Sequence, residues 1–461
     1  MHRLTFILAL LFCSRLALSQ AAPQPAPQLS PQAAYEQATR PLEITRRSLQ
    51  NWSDSETAAL GVAVQQAKDN CSARSSSQFA GEDLIAFARL CALGQQWSLV
   101  EEAATLYVEA QRRATPAEKT TAFPGLSQAY AYLIDSSLHV NDPKVALASA
   151  REMLSSCPYN ELASEATNET ILYLQLIQTD DALSLFAQRQ PILLSLLRAS
   201  STPNANSATE PRQTLPIHTI YADAIAFAAL QRFANQPETA AATASQLEAA
   251  LPASLSSDDA ILIAESRRQY ALLGAPLPPI SPSAYLMDFP VTAPPRVNTG
   301  FGAATAFLLF PDWCAQCIRM WPQFVPAHFY SGQKDVRFYA VLAQDTPLPS
   351  SIPTQSLPQS ARPNSPKTIH TSAKPAAAMP DADSESTKTA AETLRGTPTL
   401  VVSNDILTRF DATDFPFLIV TDHQGSVRFL QPAPENVLVP GGLLDQVVAR
   451  VLQQWPSTPA K

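Results

Sequence analysis

Glycine is scarce in this chain, with 12 residues in 461 against 40 prolines. Low glycine with abundant alanine favours helix over an all-β fold built on tight turns. Charge is thin as well. Charged residues make up 16% of the chain and the formal net charge is −8, with no long run of one sign. That leaves no basic footprint for nucleic acid and no polybasic patch for a membrane surface. No segment beyond the amino terminus has the ~20 uninterrupted apolar residues that a bilayer-spanning helix requires. Neither a glycine-rich phosphate loop nor a Gly-x-Ser-x-Gly elbow occurs. The histidines at 2, 139, 218, 328, 370 and 423 show no metal-ligand spacing. What is present is a 46% hydrophobic fraction in a chain long enough for two or three domains with real cores.

The chain begins MHRLTFILALLFCSRLALSQ. Arg3, a mostly apolar run over residues 4–13, and the small residues Ala17 and Ser19 read as a secretory signal peptide over 1–19. The apolar run is too short for a permanent span, and Arg15 interrupts its extension. The expected location is therefore the periplasm or the medium, with no stable membrane span once the signal is removed. Cys13 would leave with the signal, and Cys71, Cys91, Cys157, Cys314 and Cys317 remain in a compartment where disulfides persist. Cys71 and Cys91 could bridge a helical hairpin, which spacing alone leaves open. Cys157 reads as a buried, small apolar side chain. Asn51, Asn70 and Asn168 stand in glycosylation sequons that carry meaning only in a eukaryotic secretory pathway.

Residues 20–32 form a Pro/Gln-rich linker. Residues 33–275 read as an all-α domain. Its signals include Ser53 and Glu56 as a capping box, and Asp142-Pro143 as a cap followed by proline at the first helical position. Along one helix, Trp97, Val100, Ala104, Tyr107 and Val108 share a face. Three fragments overlay as helix, short polar turn and Ala-rich helix, turning at Gln96, Asp142 and Gln236. They resemble tetratricopeptide-type (TPR-like) helical hairpins, without the regular period of about 34 residues. A stacked helical array can bind a peptide on its concave face or serve only as a spacer.

After the Pro-rich stretch 274–283 the pattern changes to strands at 303–310, 336–343 and 417–421, the last running through an Asp422–Gly425 turn into a second hairpin strand. A C-terminal helix carries Leu443, Leu444, Val447, Val448, Val451, Leu452 and Trp455 on one face. This α/β domain covers 276–456. Its insertion at about 344–394 is rich in Pro, Ser, Ala and Thr, and should be disordered because it has too little apolar surface to offset its ordering entropy.

Within this domain lies FPDWCAQCIRMWPQF, residues 310–324. Two thiols three positions apart at a helix start can close a disulfide, and the helix amino terminus favours the thiolate of the first. The same spacing also fits half of a zinc site or two structural thiols. No second Cys-x-x-Cys exists, and the one nearby histidine, His328, lies well along the same helix.

The order strand, Trp-Cys-x-x-Cys, helix, strand, hairpin, helix resembles the thioredoxin superfamily, and within it the exported TlpA-like thiol–disulfide oxidoreductases. Trp313, Cys314, Cys317 and Pro322 in WCAQCIRMWP carry the resemblance, together with FPFLIVTDHQGSVRFL. It implies Cys314 as attacking nucleophile, Cys317 as resolving thiol, and Trp313 and a cis-proline as the surface that meets a bound peptide. Pro416 is the preferred cis-proline, because the hairpin turn follows at the expected distance, and Pro398 in GTPTLVV is its rival. The implied partner is a protein thiol or disulfide, with no cofactor and no metal; oligomeric state and the direction of electron flow are left open. The helical region would recruit that partner. The alternative is a non-catalytic envelope scaffold or peptide-binding protein with a redox-inactive module. The sequence departs from the family at Leu308 and Met320, where relatives place proton-handling carboxylates, at the Ala315-Gln316 dipeptide, and in the long insertion.

Overall fold

Fifteen α-helices and six strands make up the residues that the computed structural model describes: 29–48, 54–113, 123–200, 215–287, 297, 303–328, 335–344, 389–433 and 442–456. The leader with Cys13, the 20–28 part of the first linker, the Asn51 sequon and the 345–388 part of the insertion lie outside them. The chain forms two compact units that divide between Ala166 and Thr167. This division falls inside a helix and not at the 274–283 stretch.

The first unit holds α1 (Pro31–Ser48), α2 (Asp54–Ser72), α3 (Glu82–Leu93), α4 (Trp97–Arg113), α5 (Phe123–His139), α6 (Pro143–Ser156) and the start of α7 (Glu161–Ile177). From α1 to α6 each helix packs on the next, α1 also meets α3, and α3 meets α5. Alanines make this stacking possible: Ala63, Ala67, Ala88, Ala103, Ala104, Ala146 and Ala150 are fully buried at the contacts. At Gly94 even a methyl group is too large, since a Cβ there would lie 2.6 Å from the Lys68 backbone nitrogen. Cys71 on α2 and Cys91 on α3 form a buried disulfide, which answers the open question about their pairing. On α4, Val100, Ala103, Ala104, Tyr107 and Val108 are buried, while Trp97 stays half-buried and stacks on the His139 ring at 3.8 Å.

One turn geometry recurs. Gln95, Asn141 and Asn235 each adopt a left-handed backbone, with φ of 55°, 61° and 60°. In each case the next residue's N–H reaches back five positions: Gln96 to the Cys91 carbonyl (2.9 Å), Asp142 to Ser137 (2.7 Å) and Gln236 to Gln231 (2.8 Å). This cap satisfies carbonyls that a helix end otherwise leaves bare. Glycine is its usual residue; here Asn and Gln take the position, which fits the glycine-poor composition. Pro143 and Pro237 then open the following helices.

The second unit continues with α8 (Thr179–Ser200), α9 (Ile217–Phe233), α10 (Pro237–Glu248) and α11 (Ser257–Leu272) before the strands begin. The six-stranded mixed sheet has the order β1-β4-β3-β2-β5-β6. Its strands are β1 (Ala284–Tyr285), β2 (Ala304–Pro311), β3 (Val336–Ala343), β4 (Thr399–Val402), β5 (Phe417–Thr421) and β6 (Val427–Pro432). β2, β3 and β4 run parallel, and β5 lies antiparallel to both β2 and β6. All eight residues of β2 are buried, as a central strand covered on both faces requires. On one face lie α12 (Ala315–His328), where Phe324 meets Phe338 of β3 at 5.8 Å, and α15 (Leu443–Gln454), which buries Leu444, Val447, Val448 and Val451 and packs on β2 and β5. On the other face Phe307, Leu309, Val341, Leu400, Phe417 and Ile419 pack with Leu273, Ile280 and Phe410. Two short helices, α13 (Ala390–Thr393) and α14 (Asp405–Arg409), complete the unit.

The Pro-rich 274–283 stretch, which reads as a linker, is laced onto the sheet. Gly274 N–H donates to the Val427 carbonyl (2.7 Å), Val427 N–H to Ala275 (2.9 Å), and Ser283 N–H to Val401 (2.8 Å). Proline favours the extended backbone that such a strap needs and leaves its carbonyls free to accept. Helix α11 is tied to the loop after α14: Arg268 forks onto the Asp411 carboxylate at 3.0 and 2.5 Å, and Gln269 donates to the Asp411 carbonyl at 2.8 Å.

Candidate functional site

The site begins where β2 ends. Asp312 N–H donates to the Ala343 carbonyl at 3.1 Å, so the chain leaves the sheet in register with β3 before turning into α12. Cys314 sits just ahead of that helix. Its carbonyl already accepts the Ile318 N–H at 3.1 Å, while its own N–H donates to Pro311 at 3.1 Å. Cys314 and Cys317 are joined as a disulfide with Cα atoms 5.4 Å apart. The two sulfurs differ in access: Cys317 is 0% exposed, whereas Cys314 is only half-buried. The Cys317 N–H points at the Cys314 Sγ at 3.4 Å. One of the unpaired amides of the helix amino terminus is therefore aimed at the accessible sulfur, where it would stabilise a thiolate.

Trp313 projects beside this sulfur with 70% of its surface exposed. Its ring meets the Phe415 ring edge-on, centroids 5.6 Å apart. Phe415 precedes Pro416, and the bond between them is the one cis peptide among the described residues. The register explains the meeting. Leu309 pairs with Phe417, so Pro416 lies past the last rung of the β2–β5 ladder, at the end of β2 from which the cysteine turn departs. The Pro416 carbonyl is held by the Ala433 N–H at 2.8 Å. Pro398 stands elsewhere, at the head of β4, with its carbonyl accepting from Ala340 N–H at 3.0 Å. Cys314, Cys317, Trp313 and Pro416 thus gather at one end of the paired strands β2 and β5. Phe415 joins them and was not singled out in the sequence, where the aromatics flanking Pro416 in FPF were the available signal.

Leu308 is buried in β2 and Met320 half-buried on α12, so neither position offers the pair a carboxylate. The Asp422–Gly425 turn is structural. Asp422 is fully buried, accepts the Gln424 and Ser426 N–H groups at 2.8 and 3.0 Å, and takes Arg428 Nε at 2.7 Å; Gly425 supplies φ +83°. The turn lies at the opposite end of β5 from Pro416. Cys157 is half-buried at the end of α6 and not buried as its composition suggested, because it falls at the helix cap and not on its packed face; burial still pushes its thiol pKa up. The side chain of His328 lies outside the described residues. Among those residues no helix is long and apolar enough to cross a membrane. No protein-family model, curated protein or solved structure matches the chain.

Proposed function

We propose that the chain is an exported thiol–disulfide oxidoreductase with a thioredoxin-like domain of the TlpA type and a TPR-like helical array that recruits its protein partner. The observation that carries this reading is the asymmetric disulfide at a helix amino terminus, one sulfur reachable with an amide aimed at it and the other sealed. In the reduced protein the Cys314 thiolate attacks one sulfur of a partner disulfide. The partner's S–S bond breaks, a Cys314–partner bond forms, and the partner's other sulfur leaves as thiolate. The Cys317 thiolate then attacks Cys314 Sγ and displaces the partner's first sulfur, closing the Cys314–Cys317 disulfide. Two electrons pass to the partner. A dithiol partner runs the same bonds in reverse, attacking Cys314 because Cys317 is out of reach. Trp313, Phe415 and Pro416 supply the surface on which the partner's backbone rests. Two disulfides, one of them buried, fit an oxidising compartment such as the periplasm. The competing reading, a redox-inactive scaffold, draws on the apolar side chains at Leu308 and Met320.

Insulin reduction by dithiothreitol, followed as turbidity, separates the two. Wild type should accelerate it; Cys314→Ser and Cys317→Ser should not. Cys317→Ser should also accumulate a mixed disulfide seen by mass spectrometry. Equal traces for all three proteins would establish the scaffold.

A further inference from the structure

A cleft of about 360 Å³ with no cysteine in its lining lies within the second unit, walled by α7, α8, α9 and α11 on one side and by β6 on the other. Four consecutive residues of β6 line it, Arg428 to Gln431. A strand facing a cavity with its flat side exposes alternate residues only, so this cleft runs along the strand's edge. β6 is one of the sheet's two edge strands, the other being β1. The Pro416–Ala433 hydrogen bond fixes which residues of β6 pair inward. Gln431 and Phe429 bond to Leu418 and Val420 of β5, which turns the N–H and C=O of Leu430 outward, off the sheet. Among the described residues the strap at Gly274–Leu277 pairs with this edge as far as Val427. Unpaired edges of this kind are templates for another strand.

The walls are mostly apolar, with Phe186, Ala226, Phe233 and Leu273 among them, and Asn168, Asp223 and Arg428 at their polar margin. Set into them are buried polar atoms without a hydrogen-bond partner among the described residues: Gln175 Nε2 on α7, Gln431 Nε2 on β6 and the Tyr270 hydroxyl on α11. Gln175 is 6% exposed. Both amide nitrogens are donors, and groups so buried are normally paired. An occupant that satisfies them brings carbonyl oxygens and apolar side chains together. A strand edge asks for the same thing in a fixed repeat.

We propose that this cleft is a second binding site, one that takes an extended apolar peptide segment of a partner protein by strand addition to the Leu430 edge of β6. Main-chain bonds to Leu430 hold the segment, an apolar side chain fills the cavity, and the two glutamine amides cap its carbonyls. The site is independent of the cysteine chemistry.

Fluorescence anisotropy with fluorescein-labelled Thr-Leu-Thr-Leu-Thr-Leu-amide tests this on the full chain. Wild type should bind with a Kd below about 100 μM, a range ordinary for a short strand-adding peptide. Ala226→Trp fills the cavity and should weaken binding at least tenfold. Leu430→Pro deletes the outward N–H without touching the β5 ladder, an edge change that sheets tolerate, and should do the same. A peptide N-methylated at its central residues should fail to bind, while Cys314→Ser should bind as wild type does. Absence of binding to wild type, equal binding by both cleft variants, or full binding of the N-methylated peptide would each overturn the proposal. Insulin reduction measured on Ala226→Trp and Leu430→Pro should match wild type, so that loss at the cleft and loss at the cysteines are told apart.

Discussion

Asn168 shows how far a residue's role can lie from its local motif. In sequence it heads Asn-x-Thr, an acceptor pattern for glycan. In the fold its amide is consumed on both sides: Nδ2 donates to Asp223 Oδ1 at 2.7 Å, and Oδ1 accepts Arg189 Nη1 at 2.6 Å. Arg189 is fully buried, and bonds also to Thr167 Oγ1 and the Asp223 carbonyl, both at 3.1 Å. A buried guanidinium is tolerable only while such partners surround it. Asn168→Ala removes the bridge between it and the Asp223 carboxylate, leaving a charge-assisted donor and an acceptor short of a partner. The expected loss is about 2–3 kcal/mol, the cost of stranding buried charged groups. Urea unfolding followed by far-ultraviolet circular dichroism reads it, and an unchanged midpoint would show that the network is solvated. Folded protein made in a glycosylating host should carry no sugar at this asparagine.

At the scale of elements, helices α4, α5 and α6 converge on one carboxylate. Arg112 of α4 holds Glu152 of α6 with a forked pair at 2.8 and 2.5 Å. That hydrogen bonding, aided by Tyr130 of α5 and opposed by burial, keeps the Glu152 carboxyl below its ordinary pKa. A carboxyl depressed on folding adds stability above its unfolded pKa, about 4.3 for glutamate, and loses it as pH falls through the folded value. The urea midpoint of wild type should therefore drop between about pH 5 and pH 3, and Glu152→Gln should show a shallower drop over that window. Parallel curves for the two proteins would remove Glu152 from the acid response.

Elements also show what was legible. β3 and β5 fall where the sequence puts them, and β2 one residue later, since long apolar runs bounded by polar turns leave little choice. β1 and β4 escaped notice. Two residues of β1 carry no periodicity, and the four of β4 sit in a segment that drew attention for its proline. The cysteine pair was legible because its chemistry depends on a spacing of three. Its neighbour Phe415 was not, because nearness to Trp313 comes from strand register. The cleft was hidden for the same reason: its walls draw on residues from Asn168 to Gln431, and no local pattern joins them.

Over the whole molecule the five described cysteines fall into three environments, which sets an order of reaction. Cys71 and Cys91 are both fully buried between α2 and α3, so a reductant reaches them only when those helices part. Cys314 is only half-buried and follows an exposed tryptophan, so attack there should need no unfolding. Cys157 is half-buried with its thiol pKa raised by that burial, and so holds less thiolate near neutrality than a free cysteine. Folded protein treated briefly with dithiothreitol and then iodoacetamide should carry label at Cys314 first and at Cys157 slowly. Cys71 and Cys91 should take label only after urea is added, as peptide mass spectrometry would show. The buried bridge closes a loop with a sequence separation of 20, so replacing both of its cysteines with alanine should remove about 3 kcal/mol of stability. On this ordering one disulfide holds helices together and the other exchanges with reductant. Label entering Cys71 as fast as Cys314 in native buffer would mean that the first unit opens as readily as the turn that carries Cys314, and the division between a structural and an exchanging disulfide would fall.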